Sequence, residues 1–428
     1  MQASGIRPLT AWLWLPMLCE LCGGMSAQEQ DPKAATPPER QTDWVGGREF
    51  FAWNRLTGNW GGARDWLEER GIEPNGGYTL DWSSVWDGGV AERSTASSLV
   101  DFNVAFRLDK LADLAGATVF VDVYDLVGRD CNLDSGTIWG TSSIAGASPV
   151  QLAEFWFEQK LWDDKLRFKL GKVDANSEFA LLGMNGDLNN AGGVISPTIL
   201  AMPTYPDPAT SINVFLQPDP AFYAGLGVYD GALLAGVPTG SRGPKTFFDQ
   251  PPGGGYFWIG EAGYQWAAST GTWGHGRLAL GAWHHSGDFT AFDGSTDSGS
   301  SGSYLLFEQQ VWRENEEDEQ GIAFCSSLSQ ADQDVALVRR HLHASLIRTG
   351  PLPGRDADTC GVGINHYDLT NHPAAGLVGN ETDLEVFYKF QLTPYFSVKP
   401  DLQYIINPSG DPTLDDALVG MIRFDLVF

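Results

Sequence analysis

Leu418-Val419-Gly420-Met421-Ile422-Arg423-Phe424-Asp425-Leu426-Val427-Phe428 is the stretch on which the fold turns. In an extended chain successive side chains point to opposite faces. Leu418, Ile422, Phe424, Leu426 and Phe428 therefore share one face, while Arg423 and Asp425 share the other. One face suits lipid and the other water. A soluble sandwich strand shows the same alternation, but an apolar face completed by a carboxy-terminal phenylalanine suits the closing strand of an outer-membrane β-barrel.

The same pattern recurs towards the amino end. Tyr78, Leu80, Trp82 and Trp86 oppose Thr79, Asp81 and Ser83, and Val100, Phe102, Val104, Phe106 and Leu108 oppose Asp101, Asn103 and Arg107. Comparable alternation marks Ala153 to Leu161, Leu166 to Leu170, Leu384 to Leu392 and Phe396 to Ile406. Weaker strand signals fall at 117 to 125, 210 to 216, 221 to 229, 256 to 266, 276 to 285, 302 to 312, 319 to 327, 335 to 348 and 358 to 367. The expected fold is all-β, a transmembrane antiparallel β-barrel of about 16 strands, a size that encloses an aqueous channel.

Composition agrees with that reading. Of 428 residues only 19% are charged and 12% are aromatic, with 51 Gly and 16 Trp. Beyond the amino-terminal region no run approaches the ~20 apolar residues of a membrane helix, which excludes a helical membrane protein. Alternating strands and aromatic girdles give an apolar belt without an apolar average. A barrel of this length is one domain.

Arg7, the apolar run from Leu9 to Leu18 and the small residues before Ala27 read as a secretory signal over 1–27. Its removal takes away Arg7 and Glu20, so the net charge of −27 is unchanged. Residues 28–50, rich in Gln, Pro and Glu, read as a periplasmic leader without a core. In segment 51–76, Ala63, Trp66, Leu67 and Arg70 fall at helical spacing and Gly71 is placed to stop the turn, so a short amphipathic helix is expected before a barrel spanning 77–428. Arg64 and Glu68 form an i,i+4 pair worth a few tenths of a kcal/mol, too little to hold that helix without packing. Cys131, Cys325 and Cys360 match no zinc or redox spacing and read as free thiols.

Two motifs carry a family resemblance. Leu-Thr-Gly-Asn-Trp-Gly-Gly-Ala-Arg at 56–64 with Glu-Arg-Gly-Ile at 69–72 resembles the amino-terminal signature of the carbohydrate-selective porins of the OprB type. Glu381-Thr382, Tyr388, Leu392-Thr393-Pro394 and the run Ser397 to Pro408 resemble the closing hairpin region of that family. Gly171 to Asn176 and Gly350 to Arg355 are weaker echoes, and 288–334 departs most from the pattern. The resemblance implies a sixteen-stranded outer-membrane porin that passes sugars by diffusion into the periplasm, without a cofactor.

Candidate pathway residues follow from the alternation. Glu154, Glu158 and Lys160 share one inward face, and Arg167 and Lys169 share the next, set against outward Phe155, Phe157, Leu166 and Phe168. They read either as opposed charges that set a field across the pore or as a hydrated wall of self-neutralising pairs. The polar, Gly-rich stretch from Lys172 to Pro208, with Asp174, Asn176, Glu178, Asn185, Asp187, Asn189 and Asn190, folds inward as a constriction or lies outside as an extracellular loop. Sugar passage needs hydrogen-bonding groups and aromatic faces that bind weakly at several places, and the chain has both.

With 54 acidic against 27 basic side chains, nucleic acid is excluded as a partner and anionic solutes are disfavoured. The expected partners are sugars, outer-membrane lipid and lipopolysaccharide, and the barrel assembly machinery acting on the strand that ends in Phe428. The acidic runs Glu314 to Glu319 and Asp411 to Asp416 read as solvated loops. Competing readings are a general diffusion porin, an outer-membrane hydrolase, a soluble carbohydrate-binding or glycosidase domain, and an envelope anchor. His284, His285, His341, His343 and His366 have no nucleophile motif beside them, and His341 and His343, two apart, read as sharing a strand face rather than ligating metal.

Overall fold

In the computed structural model, residues 50–146, 150–268, 271–315 and 320–428 are described. The signal and leader segments, 1–27 and 28–50, lie outside them apart from Phe50. Sixteen strands close into one barrel in which each strand pairs with its sequence neighbours and β1 pairs with β16. The first quarter is β1 (Ile72–Asp87), β2 (Ser94–Arg107), β3 (Ala117–Gly128) and β4 (Val150–Leu161). Next come β5 (Leu166–Val173), β6 (Ala209–Asp219), β7 (Phe222–Asp230) and β8 (Tyr256–Trp266). The wall continues with β9 (Gly276–Thr290), β10 (Thr296–Arg313), β11 (Gly321–Ala331) and β12 (Val338–Thr349). It ends with β13 (Thr359–Leu369), β14 (Asn380–Thr393), β15 (Phe396–Ile406) and β16 (Ala417–Val427). Each of the sixteen strand signals read from the alternation coincides with one of these strands.

Alternation fixes the register, because a slip of one residue would turn every apolar side chain into the lumen. On β1, Thr79, Asp81 and Ser83 are buried inside while Trp82 and Trp86 are exposed outside. The seam pairs Leu80 with Phe424 and Asp81 with Arg423, so lipid-facing and lumen-facing residues match across the closure. Val419 and Met421 also face inward and are buried. Val419 is apolar because it packs with Cys131, Val85, Ile405 and Ala417, where a loop enters the lumen.

Long connections leave one end of the barrel, after β3, at 174–208 and at 231–255, and the opposite end carries both described chain ends and turns as tight as Pro394-Tyr395. Short turns mark the periplasmic end and long loops the extracellular one. Two sequence expectations need adjustment. β1 begins at Ile72, before the expected boundary at 77, because Pro74, Gly76 and Gly77 interrupt the alternation. The short helix, α1 (Ala63–Glu69), buries Arg64 while Trp66 stays exposed. A buried guanidinium docks it: Arg64 donates to the carbonyls of Gly58 and Pro74 at 3.1 Å each and lies over the Trp60 ring. The Arg64–Glu68 pair is open at 3.9 Å, so backbone carbonyls rather than the ion pair hold the helix. As read from the sequence, the described part of the first acidic run, at Glu314, lies on an exposed turn, here at the periplasmic end, and Asp411 to Asp416 lie in the loop between β15 and β16.

Candidate functional site

The 174–208 loop turns into the barrel. Asp174 ties its two ends together, accepting from the Asn176 amide at 2.9 Å, Thr204 Oγ1 at 2.5 Å and the Tyr205 amide at 3.2 Å. Asn176 stiffens the first turn by donating to the Phe179 carbonyl at 3.1 Å. Apolar Phe179, Leu182, Val194, Ile195 and Ile199 then pack in one cluster with Tyr229, Phe257, Trp283 and Leu306 of the wall. Burying that surface across the lumen is what an external loop would forgo. The structure therefore decides for the inward arrangement.

Polar anchors fix the loop around the far wall. Glu261 accepts from the Ala180 amide at 2.9 Å and Glu308 from the Met184 amide at 2.8 Å. Lys389 Nζ donates to Asp187 at 2.8 Å, Thr359 Oγ1 to the same carboxylate at 2.6 Å, and Lys399 Nζ to the Asp187 carbonyl at 2.6 Å. Glu385 accepts from the amides of Asn189 and Asn190 at 2.5 and 3.1 Å. Burial alone would push the Asp187 carboxyl up, but Lys389 and Lys399 outweigh it and hold it at about 2.

At the near wall, Arg167 bridges two acids, at 2.8 Å to Glu158 and 2.7 Å to Glu178, and Lys169 donates to the other Glu178 oxygen. Glu178 is likewise pushed up by burial and pulled down further by Arg167 and Lys169, to about 2. Aromatic rings surround the group. Arg167 lies over Phe215 at 3.8 Å, Lys169 over Trp156 at 3.9 Å, and Trp156 stacks on Phe120 with centroids 4.8 Å apart. Glu154 sits behind them, accepting from Trp156 Nε1 at 3.1 Å and the Asp174 amide at 3.2 Å.

A second inward segment, 129–146, follows β3 and carries no strand alternation. Ser142 Oγ donates to Asp81 at 2.6 Å, Arg423 Nη1 to Ser143 Oγ at 3.1 Å, and Gln403 Nε2 to the Thr141 carbonyl at 2.7 Å. Glu381 accepts from Thr137 Oγ1 at 2.7 Å and the Ile138 amide at 3.0 Å. The two inward loops meet where the Ala191 amide donates to the Gly140 carbonyl at 2.8 Å and Trp139 Nε1 to the Ile195 carbonyl at 3.2 Å. Together they narrow the lumen from its extracellular side.

A closed barrel with its wide lumen narrowed by inward loops is porin architecture, and comparison with known proteins places it. Residues 92–428 match "Carbohydrate-selective porin, OprB family". The chain belongs to that family. Porin B of Pseudomonas aeruginosa is 24% identical, the match covering 87% of this chain and 91% of that one. The high-pH structure of Pseudomonas putida OprB superposes with a TM-score of 0.78 at 19% identity, covering 89% of this chain and all of the other. The low-pH structure of the same protein gives 0.58 at 18% identity, covering 88% and 99%.

This carbohydrate-selective porin is an outer-membrane channel for sugars, a channel rather than an enzyme. All eight of its sequence-derived pathway candidates lie within the barrel. Glu154, Glu158, Arg167, Lys169, Asp174, Asn176 and Glu178 gather around the root of the 174–208 loop, and Asp187 reaches the opposite wall. Arg167 pairs with Glu158 within the wall, and Arg167, Lys169 and Lys389 pair with Glu178 and Asp187 between wall and loop, while Glu154 and Asp174 accept from neutral donors. Among Arg167, Lys169 and Lys389, Arg167 is the most accessible, its side chain 20% exposed. His341 and His343 do share the inward face of β12, both buried, and Cys131, Cys325 and Cys360 are free.

Proposed function

We propose that monosaccharides and small oligosaccharides cross this porin beside the Arg167 cluster, moving passively down their gradient into the periplasm. The observation that carries this reading is the juxtaposition of a two-acid guanidinium with the half-buried rings of Phe120 and Phe215. Donors and acceptors replace water on sugar hydroxyls, and ring faces take pyranose C–H surfaces. Arg167 and Glu158 present hydrogen-bonding groups, with Lys169 behind them. Glu154, Asp174, Asn176, Glu178 and Asp187 hold the constriction in shape. Because Arg167 is already paired with Glu158 and Glu178, a solute beside it meets no bare cation, and binding stays weak enough for release.

Export and assembly belong to the same proposal. A signal cut after Ala27 sends the chain out, residues 28–50 serve as a periplasmic leader, the assembly machinery engages the strand ending in Phe428, and lipopolysaccharide surrounds the extracellular rim. Transport is tested by reconstituting the purified protein in liposomes and comparing swelling with glucose, a disaccharide and an uncharged amino acid of glucose size. Sugar entry faster than size dictates supports the reading. Rates that follow size alone make it a general diffusion pore.

A further inference from the structure

The middle of the 174–208 loop meets β12 and β13 through a set of side chains whose hydrogen positions are fixed by backbone groups. Asn185 Nδ2 lies 2.7 Å from the Gly193 carbonyl, which only accepts, so the amide is oriented with its donor there. The same Nδ2 lies 2.7 Å from His343 Nε2. His343 Nε2 must then be the acceptor and carry no proton.

The other ring nitrogen is fixed just as firmly. Asn190 Oδ1 accepts from the Gly192 amide at 2.9 Å, and Asn365 Nδ2 donates to that same oxygen at 3.0 Å. Asn365 therefore turns its Oδ1 to the histidines, 2.8 Å from His343 Nδ1 and 3.1 Å from His341 Nε2. A carbonyl oxygen only accepts, so both nitrogens bear hydrogen. His343 is the neutral Nδ1–H tautomer, and His341 is held with Nε2–H beneath the stacked Tyr367 ring.

We propose that His343 is a proton-sensitive positioning residue for the constriction: neutral, it grips Asn185 and holds the loop middle to the wall, and protonated, it lets go. A proton on Nε2 would set donor against donor at 2.7 Å. Turning the Asn185 amide over does not cure this, because its oxygen would then face the Gly193 carbonyl. One loop bond is lost in either arrangement, and the new charge sits on a side chain with no exposure.

The surroundings offer that charge little. On its own strand His343 has His341 and Ser345, and across β11 it faces Ser327 with Cys325 nearby. Across β13 it faces Asn365, with Tyr367 next along. Asp383 and Glu385 lie one strand further on β14 and are engaged by Asn190 and by the Asn189 and Asn190 amides. The loop itself brings Asn185 and Gly193, and its one acid near this wall, Asp187, is held by Lys389.

The inference rests on the loop acting as the constriction, and single-channel conductance in potassium chloride tests it without reference to sugar preference. Conductance of the full-length protein in planar bilayers is followed from about pH 7 to about pH 3, a range that brackets histidine titration. A rise in conductance on acidification is expected, with loss of hydrogen-exchange protection over 182–195. His343→Gln, whose amide oxygen still accepts from Asn185 but does not titrate, should lose the acid step. Asn185→Ala, on the loop rather than the wall, should show at neutral pH the acid conductance of the unmodified channel. An unmodified channel without an acid step, a His343→Gln channel that keeps it, or an Asn185→Ala channel that behaves as the unmodified one overturns the proposal.

Discussion

Arg423 and Asp81 face each other across the seam where the barrel closes, with Nε 2.7 Å and Nη2 2.6 Å from the two carboxylate oxygens and both side chains 1% exposed. Bidentate geometry is the strongest form of such a pair. It joins the last strand to the first, and through Ser142 and Ser143 it carries the 129–146 segment.

Truncating either partner leaves a buried charge without its counter-ion, which costs about 3–5 kcal/mol. Arg423→Ala should therefore lower the temperature at which the folded band converts to the unfolded one on semi-native gels. The double variant Asp81→Asn, Arg423→Gln should recover part of that loss. A single variant as heat-resistant as the parent would show that the seam is held by its backbone ladder alone.

Lumen and lipid faces are distinguishable by chemistry. Arg167 lies inside and Phe155, 52% exposed, outside. A cysteine at Arg167 should react with a water-soluble maleimide added to folded protein in liposomes, while a cysteine at Phe155 should be protected by lipid. The opposite pattern would mean that β4 and β5 are displaced by one residue.

Strand signals were legible because one side of every strand must meet lipid, which imposes alternation residue by residue. The readings 256–266 and 396–406 coincide with β8 and β15. Strand ends were less legible: β10 starts at Thr296, where Ser and Gly run through 302 without an apolar face. The pairing of Glu158 with Arg167 was within reach, since the two strands are sequence neighbours. Glu178 joining that pair, and the whole 129–146 segment, were not. Their partners are set by how loops return into the lumen, as with Thr137 and Glu381, far apart in the chain and 2.7 Å apart in space. Alternation carries no record of such contacts.

Phe428 donates its amide to the Gly76 carbonyl at 3.0 Å, and its ring lies over Gly76, where an added Cβ would come within 2.6 Å. Deleting Phe428 should reduce the yield of assembled barrel in the outer membrane, read as the heat-modifiable fraction. Gly76→Leu should have the same direction of effect by displacing the ring. Normal yield in both would remove the terminal ring from the assembly signal.

Glu178 supplies a pH dependence whose sign is fixed. Its carboxyl is held at about 2 in the folded protein against an ordinary 4.5. A depressed carboxylate contributes stability that is present above the ordinary value and lost as pH falls through the folded one. Asp187, also at about 2, behaves alike at the far wall. Hydrogen-exchange protection over residues 175–180 should therefore stay constant from about pH 8 to about pH 4 and fail only towards about pH 2. Glu178→Gln should lower that protection at every pH, because the loop loses its ion pairs to Arg167 and Lys169. The loop root would then be loose while its middle still depends on His343, so acid release of 182–195 should persist in this variant. Loss of protection at 175–180 well above about pH 4 in the parent would mean that Arg167 and Lys169 do not hold Glu178 as the ion-pair geometry requires.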